Sequence, residues 1–499
     1  MKKFVKIISL MLALLMIATA FAACSEKKED DKDTDPKDSV AQTTNGDSTS
    51  EQTTKVPDIE VVNWDGREYR ILGRLNTTYA WANSFEVSRD EMPEDVVGKA
   101  VWNRNNDIRD NYGIEVKGIF SDSQNSDADT ALASGEDLYD LLLTPPERYL
   151  PNAQKGYLYD IAKLKYINLN HEAWIDFIND QLMIGGRLYY TSNKFMLQDK
   201  NRSYMLFYNR DIAKELNLGH FEDLVFNNEW TLDKVIELGK KATYENDGVP
   251  GMTKDDQWGV GVAQHYSFSQ FAMGAGFRFA EPGPDGYPKL IGATDEMMQI
   301  LDKVYKLVTD KTVYWCDEDY GPVDWNDCAD HMFYNEKMMI FGCVISLLDD
   351  LGVKSDFEFG VLPNPKYDSN QEHYHATPNL YNGSLLGVPS TVPDRDFVGY
   401  ALELISEKSV DTTYKAFIET KCKLQEVEDE DAAKCLDIIF NGMVYDLGFV
   451  NNIGGLSTLL TETMGGAPSN NYSRLISRYS TTAEFMLQKI KDDYAKIDY

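Results

Sequence analysis

The 499-residue sequence predicts an α/β fold of two lobes. Three observations predict it. Between Glu68 and Leu143, segments of strand and helix character alternate in the order strand–helix–strand–helix–strand, the signature of a parallel sheet flanked by helices. The chain beyond about Val56 is long enough for two domains of ordinary size. A second series of strands starts at Tyr204, after a crossing formed by Arg187–Ser192 and Asn193–Asp199.

At the amino terminus, Lys2, Lys3 and Lys6 precede an apolar run, Ile7–Phe21, which is the layout of an export signal. The run is shorter than the ~18–20 residues of a permanent spanning helix. Phe21-Ala22-Ala23-Cys24 resembles a bacterial lipoprotein box. Residues 1–23 are then a signal peptide, and Cys24 takes the lipid that holds the protein at the outer face of the cytoplasmic membrane. Residues 24–57 are almost free of apolar side chains and read as a disordered tether. The formal charge of −32 excludes nucleic acid and anionic membrane surfaces as partners.

In the first lobe, Glu68–Leu72 is a strand and Val96–Tyr112 a helix with Val97, Ala100, Val101, Arg104 and Ile108 on one face. Gly113 ends that helix. Ile114–Phe120 is the next strand, Asp127–Ala133 a short helix, and Tyr139–Leu143 a strand covered on both faces. Ligands of such sheets sit at the carboxyl ends of the strands. Two loops occupy that place: Arg74–Phe85, which offers Asn76, Thr77, Tyr79 and Trp81, and Thr144–Tyr149, which offers Arg148. A flat ring beside amides and hydroxyls suits a sugar, whose faces are C–H and whose rim is hydroxyl. Packing of Trp81 onto its own lobe, and a solvated Glu147–Arg148 pair, are the plain alternatives.

Tyr204–Tyr208 is an aromatic-rich strand. Asp211 is placed to cap the short helix Ile212–Leu216, which Gly219 ends. Thr231 is placed to cap a helix whose Leu232, Val235, Ile236 and Gly239 recur on one face. Tyr208-Asn209-Arg210-Asp211, Leu218-Gly219 and Trp230-Thr231-Leu232-Asp233, together with the earlier Gly156-x-Leu158-Tyr159-Asp160-Ile161, resemble in order the middle of the extracellular solute-binding proteins of ABC importers. Tyr334–Cys343, Phe357–Pro365 and Tyr381–Pro389 continue the resemblance. It implies a periplasmic-binding-protein-like fold of type II: two separately cored lobes, hinge crossings and a ligand cleft. Lobe 1 is then 58–192 plus 380–425, and lobe 2 is 193–379 plus 426–499.

In the second lobe, Trp258–Ala263 is a strand broken by glycines, with Tyr266 and Phe268 at its end. Asp295–Val308 is a helix with Ile300, Leu301, Val304 and Leu307 inward. Trp325 lies in a loop between Pro322 and Asp327. Asp394–Ser406 is a helix packing Phe397, Tyr400, Ala401, Leu404 and Ile405, and Glu428–Phe440 and Thr482–Tyr494 are helices expected mainly on lobe 2. The expected ligand contacts are Asn76, Tyr79, Trp81, Arg148, Trp258, Tyr266, Phe268 and Trp325. Each also has a reading as a packing residue.

Cys316, Cys328, Cys343, Cys422 and Cys435 are odd in number and read best as small buried apolar residues; local pairs 316–328 or 422–435 stay open. His373 and His375 are two ligands without a third, so no metal and no cofactor is expected. No nucleophile elbow, zinc helix or phosphate loop is present, and the acidic residues pick out no glycosidase pair. The expectation is a monomeric, non-enzymatic binder of a small solute, a carbohydrate on the family resemblance, that serves importer permease subunits. A peptide binder or a lipoprotein that presents ligand to a sensor is the alternative, and a glycoside-active enzyme a third.

Overall fold

A computed structural model describes residues 59–78, 82–262, 267–317, 329–379, 383–423, 430–464 and 469–497. The signal, Cys24, the tether, Tyr79, Trp81, Tyr266 and Trp325 lie outside these residues. Among the described residues, no helix is long and apolar enough to cross a membrane.

The first sheet is built from β1 (Arg67–Arg74), β2 (Ile114–Ser121), β3 (Leu141–Thr144), β4 (Leu158–Tyr159), β5 (Tyr190–Thr191) and a late strand, β13 (Leu385–Pro389). Its order is β2-β1-β3-β13, with β4 and β5 both on β13. β1 runs parallel to β2 and β3, so Arg74, Ser121 and Thr144 reach one edge together. β13 is antiparallel and starts at that edge, with Leu385 opposite Thr144. The period-2 pleat sorts the side chains: Tyr69, Ile71, Leu141 and Leu143 enter one core, while Leu72 and Leu142 enter another.

The second sheet holds β6 (Tyr204–Asn209), β7 (Trp258–Val262), β10 (Tyr314–Cys316), β11 (Met338–Val344) and β12 (Phe359–Leu362), in the order β10-β7-β11-β6-β12. A hairpin-like pair, β8 (Ala280–Pro282) and β9 (Pro288–Leu290), stands apart. β10, β7 and β11 are parallel and β6 is antiparallel to β11. The carboxyl ends Cys316, Val262 and Val344 therefore lie at the edge where β6 begins.

The long helices follow local signals. α1 (Val96–Tyr112) is capped by Asp95 and ends on Gly113 at φ 61°, as glycine permits. α2 (Gln124–Ser134) starts earlier than Asp127, directly after β2. α3 (Leu232–Ala242) is capped by Thr231, whose hydroxyl accepts from Lys234 N, and buries Leu232, Val235, Leu238 and Gly239; Ile236 is only half-buried. α4 (Asp295–Thr309) is capped by Thr294 and buries Ile300, Leu301, Val304 and Leu307. α5 (Arg395–Ser409) is capped by Asp394, which also takes a bond from Arg67 Nη1 at 2.6 Å. α6 (Glu430–Asn441) and α7 (Tyr472–Tyr494) complete the set, and α7 starts ten residues before Thr482.

Three details differ from expectation. Asn209, not Asp211, caps the helix Arg210–Glu215 by accepting from Ile212 N at 2.9 Å. β7 is unbroken, and its glycines serve close approach. A Cβ on Gly259 would stand 2.2 Å from Gly239 O and 2.5 Å from Gly239 Cα, so α3 sits on β7 backbone to backbone. The cores are not separate. The outer face of the first sheet has its own core, formed with Ile108 of α1 and Phe397 and Leu404 of α5. Its inner face, through Leu72, Leu142, Tyr149 and Tyr190, joins the core of the second sheet.

The carboxyl-terminal segment makes part of that join. Gln154 Nε2 donates to Asp493 of α7 at 3.0 Å, and Arg187 donates to the carbonyls of Tyr494 (2.8 Å) and Ile497 (3.2 Å). α7 thus touches elements of the first sheet as well as the second-sheet core.

Candidate functional site

The crossing between the sheets is a polar joint sealed from water. Residues 192–193 follow β5, and the short helix Gln198–Asn201 precedes β6; all of its side chains are buried. Asp199 Oδ2 accepts from Ser192 Oγ and Tyr445 OH, each at 2.6 Å, and from Lys200 Nζ at 3.1 Å. Lys200 also donates to Ser192 Oγ (2.8 Å) and Asn193 O (3.0 Å). Buried charges persist when paired and hydrogen-bonded in this way. The same segment reaches the loop after β1: Gln198 Nε2 donates to Asn83 O at 3.1 Å, and Gln198 N to Glu86 Oε1 at 3.4 Å. Burial raises the Glu86 carboxyl to about 7.

This joint brings the carboxyl ends of the two sheets together. Arg202, just before β6, donates to Ser346 Oγ at 2.7 Å, directly after β11. Burial pushes the Arg202 guanidinium down to about 10, and the positive charge of Arg74, at the end of β1, adds to that push. Arg74 is lowered by burial too.

On the first-sheet side, the ends of β1, β2 and β3 surround a pocket of about 330 Å3. Arg74, Asp122, Ser123, Gln124, Asp129 and Arg148 are among its lining. Gln124 opens α2, and the Ser123 side chain does not cap it. Arg148 Nη1 meets Asp129 at 3.3 Å, and Asp129 also accepts from Asn152 Nδ2 at 2.9 Å. Gln124 Nε2, Asn125 Oδ1 and Arg148 Nε are buried without a hydrogen-bond partner. The pocket can thus supply donors at a point where a strand-end ligand would sit.

Of the residues singled out in the sequence, Arg148 lines this pocket, and Asn76 lies two residues past Arg74, its Oδ1 accepting from Thr78 N at 3.0 Å. Trp258 and Phe268 are core residues. Trp258 is 0% exposed, donates from Nε1 to Thr253 O at 2.7 Å and stacks edge-on with Trp315 at 5.2 Å. The reason is position: Trp258 begins β7, at the end of the strand away from the edge where Val262 lies and β6 begins. Phe268 is 1% exposed and tilts against Tyr472 of α7. The residues missed by sequence reasoning are Arg74, Gln124, Asn125 and Arg202. Arg74 opens the loop that the sequence places at the carboxyl end of the first strand, and in the structure it is that strand's last residue; Arg202 depends on the strand pairing.

The motif residues behind the resemblance turn out to be joints. Tyr208 OH and Arg210 both bond Glu222, Phe221 stacks on Tyr208 at 4.4 Å, and Trp230 Nε1 donates to Pro363 O at 2.9 Å. His171, Glu403 and Glu407 form the group of possible metal ligands among the described residues. His171 Nδ1 accepts from Ala173 N at 3.1 Å, so one of its two ring nitrogens is already engaged by the backbone.

No family model and no curated protein matches this sequence. Solved structures do match in fold. M. tuberculosis UspC is 16% identical with a TM-score of 0.54, over 83% of this chain and 99% of that one. UgpB from Mycobacterium tuberculosis, in complex with glycerophosphocholine, is 14% identical with a TM-score of 0.52, over 80% and 96%. Maltose-bound T. maritima MalE3 is 15% identical with a TM-score of 0.51, over 84% and 99%. The chain has the α/β fold of the type II periplasmic binding proteins.

Proposed function

We propose that the chain captures an extracellular solute between two lobes and hands it to an ABC importer. The observation that carries this reading is the contact between the loop after β1 and the segment that leads into β6, through Gln198 bonded to Asn83 and Glu86, close in the chain to Arg202, which bonds Ser346 just after β11. In open α/β sheets the carboxyl edge of the strands is where ligands bind. Lobe 1 is 58–192 with 380–425, and lobe 2 is 193–379 with 426–499; each sheet falls within one of them. Ligand that touches both lobes favours the closed state by its differential affinity.

A carbohydrate is the preferred solute. Its support is twofold: the aromatic candidates Tyr79, Trp81, Tyr266 and Trp325, with Asn76 and Arg148 as polar contacts, and the maltose held by one protein of similar fold. Cys24 anchors the body to the outer face of the membrane by lipid, and residues 24–57 give it reach. The chain works as a monomer with the permease subunits and catalyses nothing.

A thermal-shift screen against neutral, acidic and peptide libraries tests the reading. A ligand at 100 times its Kd adds about 2.7 kcal/mol of stability. A glycan hit recovered unchanged supports the binder. Turnover of the hit replaces it with an enzyme, and a response to peptides alone moves the solute class.

A further inference from the structure

The pocket at the ends of β1, β2 and β3 asks for a particular chemistry. α2 is 11 residues long, and its first turn faces the pocket through Gln124, Asn125 and Ser126. The backbone N–H groups of that turn are the helix's own orphan donors, and no side chain caps them at Ser123. Gln124 is 3% exposed, and its Nε2 donates to nothing. Arg148 Nε is buried without a hydrogen bond on the same pocket, with Glu147 Oε1 at 3.9 Å, and Arg74 adds a second guanidinium. A buried donor without a partner calls for an acceptor from whatever fills the pocket. Asn125 Oδ1 makes the opposite demand: it is buried and lacks a donor.

We infer that this pocket binds an oxyanion group carried on a hydroxyl-bearing solute: an acidic sugar with a carboxylate, sulfate or phosphate. The oxyanion sits at the amino end of α2 and accepts from Gln124 Nε2 and Arg148 Nε, while a solute hydroxyl donates to Asn125 Oδ1. Asp122 and Asp129 also line the pocket, and Asp129 is already engaged by Arg148 and Asn152. With Glu147 near Arg148 Nε and Asp127 in the first turn of α2, the acids nearby outnumber the two arginines, so hydrogen-bond donors and the helix start, not net charge, select the anion. This assignment rests on the solute-capture reading and narrows its solute.

The test compares D-glucose with D-glucuronate, glucose 6-sulfate and glucose 6-phosphate, and inorganic sulfate and phosphate with chloride at equal ionic strength. Calorimetry and thermal shift are run on the wild-type chain, Gln124→Glu and Arg148→Met. Gln124→Glu sets a carboxylate where the oxyanion would lie and suits the first turn of a helix, so folding is retained. The expected result is saturable binding of at least one acidic sugar, at least 10-fold tighter than glucose. Gln124→Glu weakens it 10-fold or more, and Arg148→Met weakens it to a lesser degree. The arm that binds best identifies the oxyanion. Acidic sugars that bind no better than glucose, or binding equal in wild type and Gln124→Glu, overturn the assignment. If a neutral glycan from the library binds all three proteins alike, the pocket assignment fails while solute capture stands.

Discussion

Replacing Asp199 with alanine should destabilise the body by about 3–5 kcal/mol, the usual loss when one member of a buried ion pair is removed. Asp199 and Lys200 are each 1% exposed. The substitution takes the carboxylate bonded to Lys200 Nζ, leaving it Ser192 Oγ and Asn193 O among the described residues, and it strips the acceptor from Tyr445 OH. Because Ser192 follows β5, Lys200 precedes β6 and Tyr445 lies in the segment after α6, the loss falls on the crossing itself. Unfolding entropy of about 2.1 cal/mol/K per residue gives roughly 0.9 kcal/mol per degree for a body of about 440 residues. The melting temperature then falls by about 3–5 °C if the body unfolds as one unit. Calorimetry reads the shift. Asp199→Leu combined with Lys200→Met should recover most of it, since apolar replacement of a whole buried pair is often neutral or stabilising. A single variant that melts within 1 °C of wild type, or a double variant no better than the single, refutes the view that the pair is a desolvated joint.

Glu403 predicts a pH dependence. Burial raises its carboxyl to about 8, against the lesser pull of Trp174 Nε1 at 2.8 Å and Asn168 N at 3.1 Å; Glu407 pushes the same way as burial. The native state therefore holds a proton that the unfolded chain has lost above about 4.5. Stability is full below that pH and declines, on the order of a few kcal/mol, as pH rises to about 8. Glu403→Gln should flatten the decline in urea midpoints measured from pH 5 to 8; an unchanged slope contradicts the assignment. Gly259→Ala should cost about 3 kcal/mol, because the new methyl meets backbone of Gly239 that cannot swing aside. A loss below 1 kcal/mol in denaturant titration would show that α3 shifts freely on β7.

Much of the fold was legible where one local signal decides. Val96–Tyr112 and its Gly113 exit, the Thr231 cap and the inward row of α4 all follow from cap chemistry and helical spacing. β4, β5 and β10 are two or three residues long and exist only through pairing with distant strands, which local pattern does not carry. The merged core was hidden for the same reason: Leu72 and Ile71 look alike in sequence, and only the pleat sends them to different sides. Trp258 misled because an aromatic residue at a strand looks like a binding ring whichever end of the strand it occupies. Its burial against Trp315 depends on β10, a three-residue strand that no local pattern marks. Gln124 carried no signal at all. Its importance lies in an unmatched amide at a helix start, which is a fact of packing.

Hydrogen exchange with and without the best ligand from the screen tests the central claim most directly. Capture between the two sheets predicts that ligand slows exchange in two separated stretches at once: 121–128 at the head of α2, and 200–204 with 344–348 around Arg202 and Ser346. Protection confined to one sheet, or absent from both while ligand is demonstrably bound, contradicts it.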